Sequence, residues 1–233
     1  KRRSVALAGS VVPESNGDTL NLEDINKIIM FDTETVGLKP NYIISLGYRY
    51  FERGKKPIFG EIRCNPDYFI PEAATKVNGF TNEMVKDWPL FVDKWYEIEP
   101  LFRDSLWLGH NLKFDSSAIM LEASRYGFKI PHHYDIDTLE IAKKMIPKGT
   151  TANYKLGTLC EYFDIKAEEE NYHSADFDIW ATDKLFRKLL AYNKQNGEAF
   201  NYLFKPKEVD GDYTGVLPEE TSVEAEIEED FEF

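Results

Sequence analysis

The sequence predicts an α/β layer fold with a mixed sheet, on two observations. Three short apolar runs of strand character open the body of the chain, and further such runs then alternate with segments of helical period. A strand hairpin feeding alternating strands and helices gives a mixed sheet rather than a purely antiparallel one. The chain has 233 residues, 42% of them hydrophobic and 14% aromatic, enough for one sizeable domain with extensions.

Residues 1–24 contain Ser, Gly, Asn and Pro with no period and read as a loose leader, so the body is expected over 25–204. "KIIMFDTE" is the first strand. "YIISLGYRYFERGKKPIFGEIRCNP" supplies two more, separated by the turn signal "ERGKKP". Helical patterns follow over Pro71 to Val77, Asn82 to Lys86 and Leu90 to Phe102. "SLWLGHN" is a short strand, "FDSSAIMLEASRYG" a helix beginning near Phe114 and closed by Gly127, and "HHYDIDT" another strand. Helices are then expected over Leu139 to Met145, Lys155 to Phe163 and Ser174 to Asn196. Residues 205–233 are rich in acids, Gly and Pro and are expected to be a disordered tail.

The formal charge of −13 argues against a polyanionic partner until its location is considered. From Lys205 onward two bases stand against eleven acids, a net of −9, which leaves the first 204 residues at −4. Cys64 and Cys160 lie far apart and fit neither a zinc site nor a disulfide framework. No apolar run approaches the roughly 18 residues of a membrane span, and "KRRSVALAGSVVPES" is too short in apolar residues for a signal peptide. A cytoplasmic protein is the expectation.

The carboxylates hold the chemistry. In a strand, Asp32 and Glu34 of "IIMFDTETVGL" point to the same face. Like charges so close raise each other's pKa, and a divalent cation would relieve the cost; a solvated loop after Phe31 is the alternative. In "LGHNLKFDSSAIML" a strand runs into His110 and Asn111, and Asp115 falls in the first turn of a helix, where the helix dipole alone would favour it. His110 is expected as a hydrogen-bonded packing residue. In "YHSADFDIWATDKLFRKLL", Ala181, Leu185 and Leu189 form an apolar stripe that also takes in Asp178, with His173 near the helix start. A charge on the buried stripe needs a partner. Four carboxylates on separate elements, with one histidine, suit two hard cations and hydrolysis of a phosphodiester, the histidine taking a proton from water.

"FDTETVGL", "GHNLKFD" and "HSADFDIWATDKLF" resemble, in order and spacing, the three motifs of the DEDD superfamily of 3′→5′ exonucleases, in its histidine subgroup. The resemblance covers about Lys27 to Leu190. It implies a ribonuclease-H-like fold with a mixed five-stranded sheet flanked by helices, and two Mg²⁺ or Mn²⁺ ions. By motif position, Asp32, Glu34 and Asp178 would hold the first ion. Asp32 would also reach the second, with Asp115 acting there mainly through water, and His173 would be the general base. Thr35, Gly37 and Leu38 would line the pocket for the 3′-terminal nucleotide, with Asn111 and Phe114 shaping it. "YHSAD" also fits the tyrosine subgroup, with Tyr172 and Asp176 in those roles, but Ala181 and Thr182 after Asp178 follow the histidine pattern.

The family often has a glutamate where Ser45 stands, a histidine where Asn78 stands and an alanine where Lys113 stands. These departures bear on substrate preference. The expected activity is release of nucleoside 5′-monophosphates from the single-stranded or frayed 3′ end of DNA, with proofreading in replication as the setting. Trimming of RNA ends and a catalytically silent nucleic-acid-binding module are the alternatives. The tail's acids and terminal "DFEF", ending at Phe233, suggest a docking tip for a replication protein.

Overall fold

The computed structural model describes residues 25–166, 175–196 and 203–211. Its elements run β1 (Lys27–Thr35), β2 (Ile43–Glu52), β3 (Ile58–Arg63), α1 (Glu72–Asn78), α2 (Asn82–Val85), α3 (Phe91–Phe102), β4 (Ser105–Gly109), α4 (Leu112–Tyr126), β5 (His133–Asp137), α5 (Thr138–Met145), α6 (Leu156–Tyr162), α7 (Ala175–Gln195) and β6 (Lys207–Val209). They build one sheet in the order β3-β2-β1-β4-β5-β6. The hairpin strands pair antiparallel, β1 pairs with β4 and β4 with β5 in parallel, and β6 runs antiparallel to β5.

Strand alternation divides the core into two layers. Ile29 and Phe31 of β1 face α3 and α4 in a cluster with Trp95, Phe102 and Trp107, whose rings meet Phe31 or each other edge-on or tilted at 5.1–5.3 Å. Met30, one residue out of phase, joins Leu106, Leu108, Ile136, Ile179, Leu185 and Leu189 on the other face, under α5, α6 and α7. The parallel crossovers put helices on both faces, so β4 is buried throughout and reads as a continuous apolar run. Gly127 ends α4 at φ 73°, donating its N–H to Ala123 O, a left-handed turn that glycine adopts without strain.

The sheet has six strands where the family resemblance implied five. The sixth, β6, lies in the segment read as the start of a loose tail, and Leu203 and Phe204 just before it are buried. Lys207, Glu208 and Val209 carry no strand-like apolar pattern. They are held by pairing with the exposed edge of β5 and by polar contacts from Lys207 Nζ to Glu140 (2.9 Å) and from Glu208 to His132 (3.3 Å). Helix α4 also starts at Leu112, two residues earlier than its sequence pattern indicated. The leader 1–24 and the acidic residues from 212 onward lie outside the described residues. Cys64 and Cys160 are buried free thiols. Among the described residues no helix is long and apolar enough to cross a membrane.

Candidate active site

Asp32 and Glu34 follow Met30 on the face of β1 that α7 covers, while Thr33 and Thr35 point to the other side. Ala181, Leu185 and Leu189 are fully buried against the sheet, which pins α7 and turns Asp178, three residues before Ala181, toward the end of β1. Its charge acts on both Asp32 and Glu34. The third approach is from α4. After β4, Asn111 adopts the left-handed conformation (φ 62°, ψ 40°) and donates its backbone N–H to Asp137 Oδ1 at 2.9 Å. The same oxygen accepts Leu139 N–H and so caps α5. That turn starts α4 so that Asp115, 4% exposed, meets the end of β1, where its Oδ1 accepts the Thr33 N–H (2.8 Å) and hydroxyl (2.7 Å).

The electrostatics record the crowding. Burial first, then the charges of Asp115, Asp178 and Glu34, raises the Asp32 carboxyl well above the usual carboxylate range. Burial, Asp178 and Glu61 push Glu34 up to about 7. Burial likewise brings Asp115 to about 7, against the opposing effect of the Thr33 hydrogen bonds. Such a cluster ionises fully only with a positive partner. Among the described residues no group of three or more His, Cys, Asp or Glu side chains is set to hold a metal ion. The donor set nevertheless fits a divalent cation of the Mg²⁺ or Mn²⁺ type: hard carboxylate oxygens from three elements, mutually repelling and largely withdrawn from water.

Thr35 to Leu38 form a stiff turn beside this cluster. Thr35 Oγ1 donates to Gly37 O (2.9 Å), Val36 N–H to Tyr42 O (3.0 Å), and Asn78 Nδ2 to Thr35 O (3.0 Å). Leu38 is left 42% exposed. Asn41 ties the far end of the turn to α4 through Phe114 O and Ser117 Oγ, so half-buried Phe114 and the turn are neighbours. His110 is the packing residue expected, its Nδ1 against Thr138 Oγ1 and its Nε2 against Tyr154 O, both at 2.9 Å. Lys113 is exposed.

His173 and Tyr172 lie outside the described residues, as does the side chain of Asp176. Two contributors were missed in the sequence. Asp137 organises the β4–α4 turn from a neighbouring strand. Glu61, fixed by Ser45 Oγ (2.7 Å) and Arg63 Nε (2.9 Å), adds its charge to the field on Glu34. Alternation along β3 puts Glu61 and Arg63 on one face, but only the register across β2 brings that face to the cluster.

A family profile described as Exonuclease (RNase_T) matches residues 29–186. A PolC-type DNA polymerase III from Caldanaerobacter subterraneus is 30% identical over 190 residues, which take in 79% of this chain but 13% of that much longer protein. DNA polymerase III subunit epsilon from Treponema pallidum is 29% identical over 181 residues, 76% of this chain and 82% of the relative. Exonuclease X in complex with 5′-overhanging duplex DNA superposes with a TM-score of 0.53 at 21% identity, over 76% of this chain and 96% of that one. The zinc-bound complex of E. coli exonuclease I with single-stranded DNA gives 0.60 at 20% identity, over 77% and 43%. At such identities the structural likeness establishes a shared fold.

Proposed function

The chain belongs to the exonuclease family, and from that premise we propose that it is a two-metal-ion 3′→5′ exonuclease acting on DNA, with proofreading in replication as its setting. It would hydrolyse the 3′-terminal phosphodiester bond and release nucleoside 5′-monophosphates. The observation that carries the reading is the convergence of Asp32, Glu34, Asp115 and Asp178 on the end of β1. DNA is favoured by the DNA-bound structural relatives, and replication by the relatives named as DNA polymerase III.

The proposed roles are those that the family motifs imply, and the grouping of the acids at the end of β1 supports them. Asp32, Glu34 and Asp178 would hold one cation, and Asp32 with Asp115 would hold the other. Bound Mg²⁺ or Mn²⁺ supplies neutralisation of charge on the attacking and leaving oxygens. Thr33, by donating twice to Asp115 Oδ1, fixes the orientation of that carboxylate and favours its ionised form. The hydrogen-bonded turn Thr35–Leu38 receives the 3′-terminal nucleotide, offering Leu38 to the base, with Asn111 and Phe114 behind it. His173, assigned by motif, takes the proton of the attacking water. We place the folded exonuclease body over residues 25–211, and assign the acidic segment ending at Phe233 to contact with a replication protein.

The test is digestion of 5′-labelled single-stranded DNA, mispaired duplex DNA and RNA side by side, with Mg²⁺, Mn²⁺ or chelator. A metal-dependent ladder on DNA that Asp32→Asn abolishes is the expected result. Absence of metal-dependent shortening of DNA would overturn the reading, and faster digestion of RNA would reassign the substrate.

A further inference from the structure

Two residues of β3 share the face on which the acid cluster sits. The register pairs Glu34 with Ser45 and Ser45 with Arg63, and likewise Asp32 with Gly47 and Gly47 with Glu61. Residues directly opposite across antiparallel strands project to the same side. Arg63 is therefore two strand spacings, about 10 Å, from Glu34 on one surface.

Arg63 is held in place without being used up. Its Nε donates to Glu61 Oε1 at 2.9 Å, and Glu61 is itself braced by Ser45 Oγ at 2.7 Å. The guanidinium carbon stands 6.0 Å from the centroids of both Phe80 and Trp88, whose rings meet edge to face at 5.8 Å. Among the described residues the two Nη groups have no hydrogen-bond partner, and the side chain is 54% exposed. Asn78 connects this wall to the proposed nucleotide pocket, donating to Thr35 O and accepting from Phe80 N–H. A fixed, outward-facing guanidinium beside a crowd of carboxylates answers a specific need. A polyanionic strand must reach the acid cluster, and the first 204 residues carry a net charge of −4.

We propose that Arg63 is a phosphate-binding residue for the incoming strand, its Nη groups taking the phosphodiester one step to the 5′ side of the bond being cut. Arginine suits the task because its planar fork matches two phosphate oxygens and keeps its charge at any working pH. Glu61 and Ser45 act as positioning residues that aim the fork, while the two aromatic rings it lies over limit its swing.

This proposal rests on the exonuclease reading, and a pair of substrates separates the two. An oligothymidylate has the upstream phosphates, whereas the p-nitrophenyl ester of thymidine 5′-monophosphate has only the one that reacts. Wild type, Arg63→Ala and Arg63→Lys are assayed on both in Mg²⁺ at several salt concentrations. For Arg63→Ala, the oligonucleotide KM should rise about 10-fold with kcat within about twofold, and kcat/KM for the ester should be unchanged. The slope of log KM against log salt should fall by about 0.7, the contribution of one phosphate contact on a single strand. Arg63→Lys should recover part of the loss, since it restores charge without the fork. An unchanged oligonucleotide KM overturns the proposal. So does equal damage on both substrates, which would assign Arg63 to support of the acid cluster through Glu61. A wild type that leaves both substrates intact overturns the exonuclease reading instead.

Discussion

Asp115 reaches the site from α4, and its orientation depends on Thr33, a residue that points away from the other acids. The Thr33 hydroxyl and N–H both donate to the same Asp115 oxygen, at 2.7 and 2.8 Å, and both pull the Asp115 pKa down against the effect of burial. Thr33→Val deletes one of these donors at nearly constant volume. A hydrogen bond to a charged group is worth about 1.5–3 kcal/mol, so the Mg²⁺ concentration for half-maximal activity should rise about 10-fold or more. With less to favour its ionised form, Asp115 should titrate higher, and the acidic limb of kcat/KM should move to higher pH. An acidic limb and Mg²⁺ requirement identical to wild type would contradict the role given to Thr33. His173 is the other residue-scale test. His173→Ala should lower kcat by a factor on the order of 10² or more, and Tyr172→Phe should leave it near wild type. The reverse pattern would make Asp176, rather than Asp178, the ligand of that motif.

At the scale of elements, what could be read in the sequence was local periodicity, and what could not was pairing across distance. The two-residue period of β1 set Asp32 and Glu34 on one face, and the stripe Ala181, Leu185, Leu189 turned Asp178 inward; the structure brings those faces together. The β6 strand escaped because Lys207–Val209 is short, mostly exposed and defined by an edge more than 70 residues away. Glu61 escaped for the same reason, since its proximity to Glu34 exists only through the register of three strands. The early start of α4 was hidden because no side-chain cap marks it; a left-handed asparagine does the turning. The C-terminal segment therefore belongs energetically to the fold. Phe204 is 5% exposed with its ring 6.1 Å from that of Phe186, and Phe204→Ala should cost about 3–5 kcal/mol in urea unfolding. A change below about 1 kcal/mol would show that residues 203–211 merely lie on the body.

At the scale of the whole molecule, the concentration of acids in one place makes stability a function of both pH and metal. Glu34 rises from 4.5 to about 7 and Asp115 from 3.8 to about 7, each mainly through burial. Between the ordinary and the raised values, the folded chain keeps protons that the unfolded chain has released. Stability must then fall as pH rises through that window, and the full loss is reached above about 7. Glu122 behaves alike for a separate reason. It is fully buried in α4, Ile43 N–H donates to one of its oxygens, the other accepts no hydrogen bond among the described residues and stands 3.8 Å from Arg125 Nη1, and burial raises its pKa to about 7 against the opposing charge of Arg125. A cation at the acid cluster takes the place of the protons on Glu34 and Asp115 but does nothing for Glu122. In chelator, Tm should therefore decline from pH 5 to pH 8. Mg²⁺ at 100 times its dissociation constant should restore about 2.7 kcal/mol at the upper end, a rise in Tm on the order of 5–10 °C. The gain should shrink toward pH 5, where protons compete for the same oxygens, and should vanish in Glu34→Gln with Asp115→Asn. Glu122→Gln should flatten part of the decline in chelator while leaving the Mg²⁺ increment intact. Equal Mg²⁺ increments at pH 5 and pH 8, or an increment that survives the double substitution, would mean that the cation binds somewhere other than the end of β1.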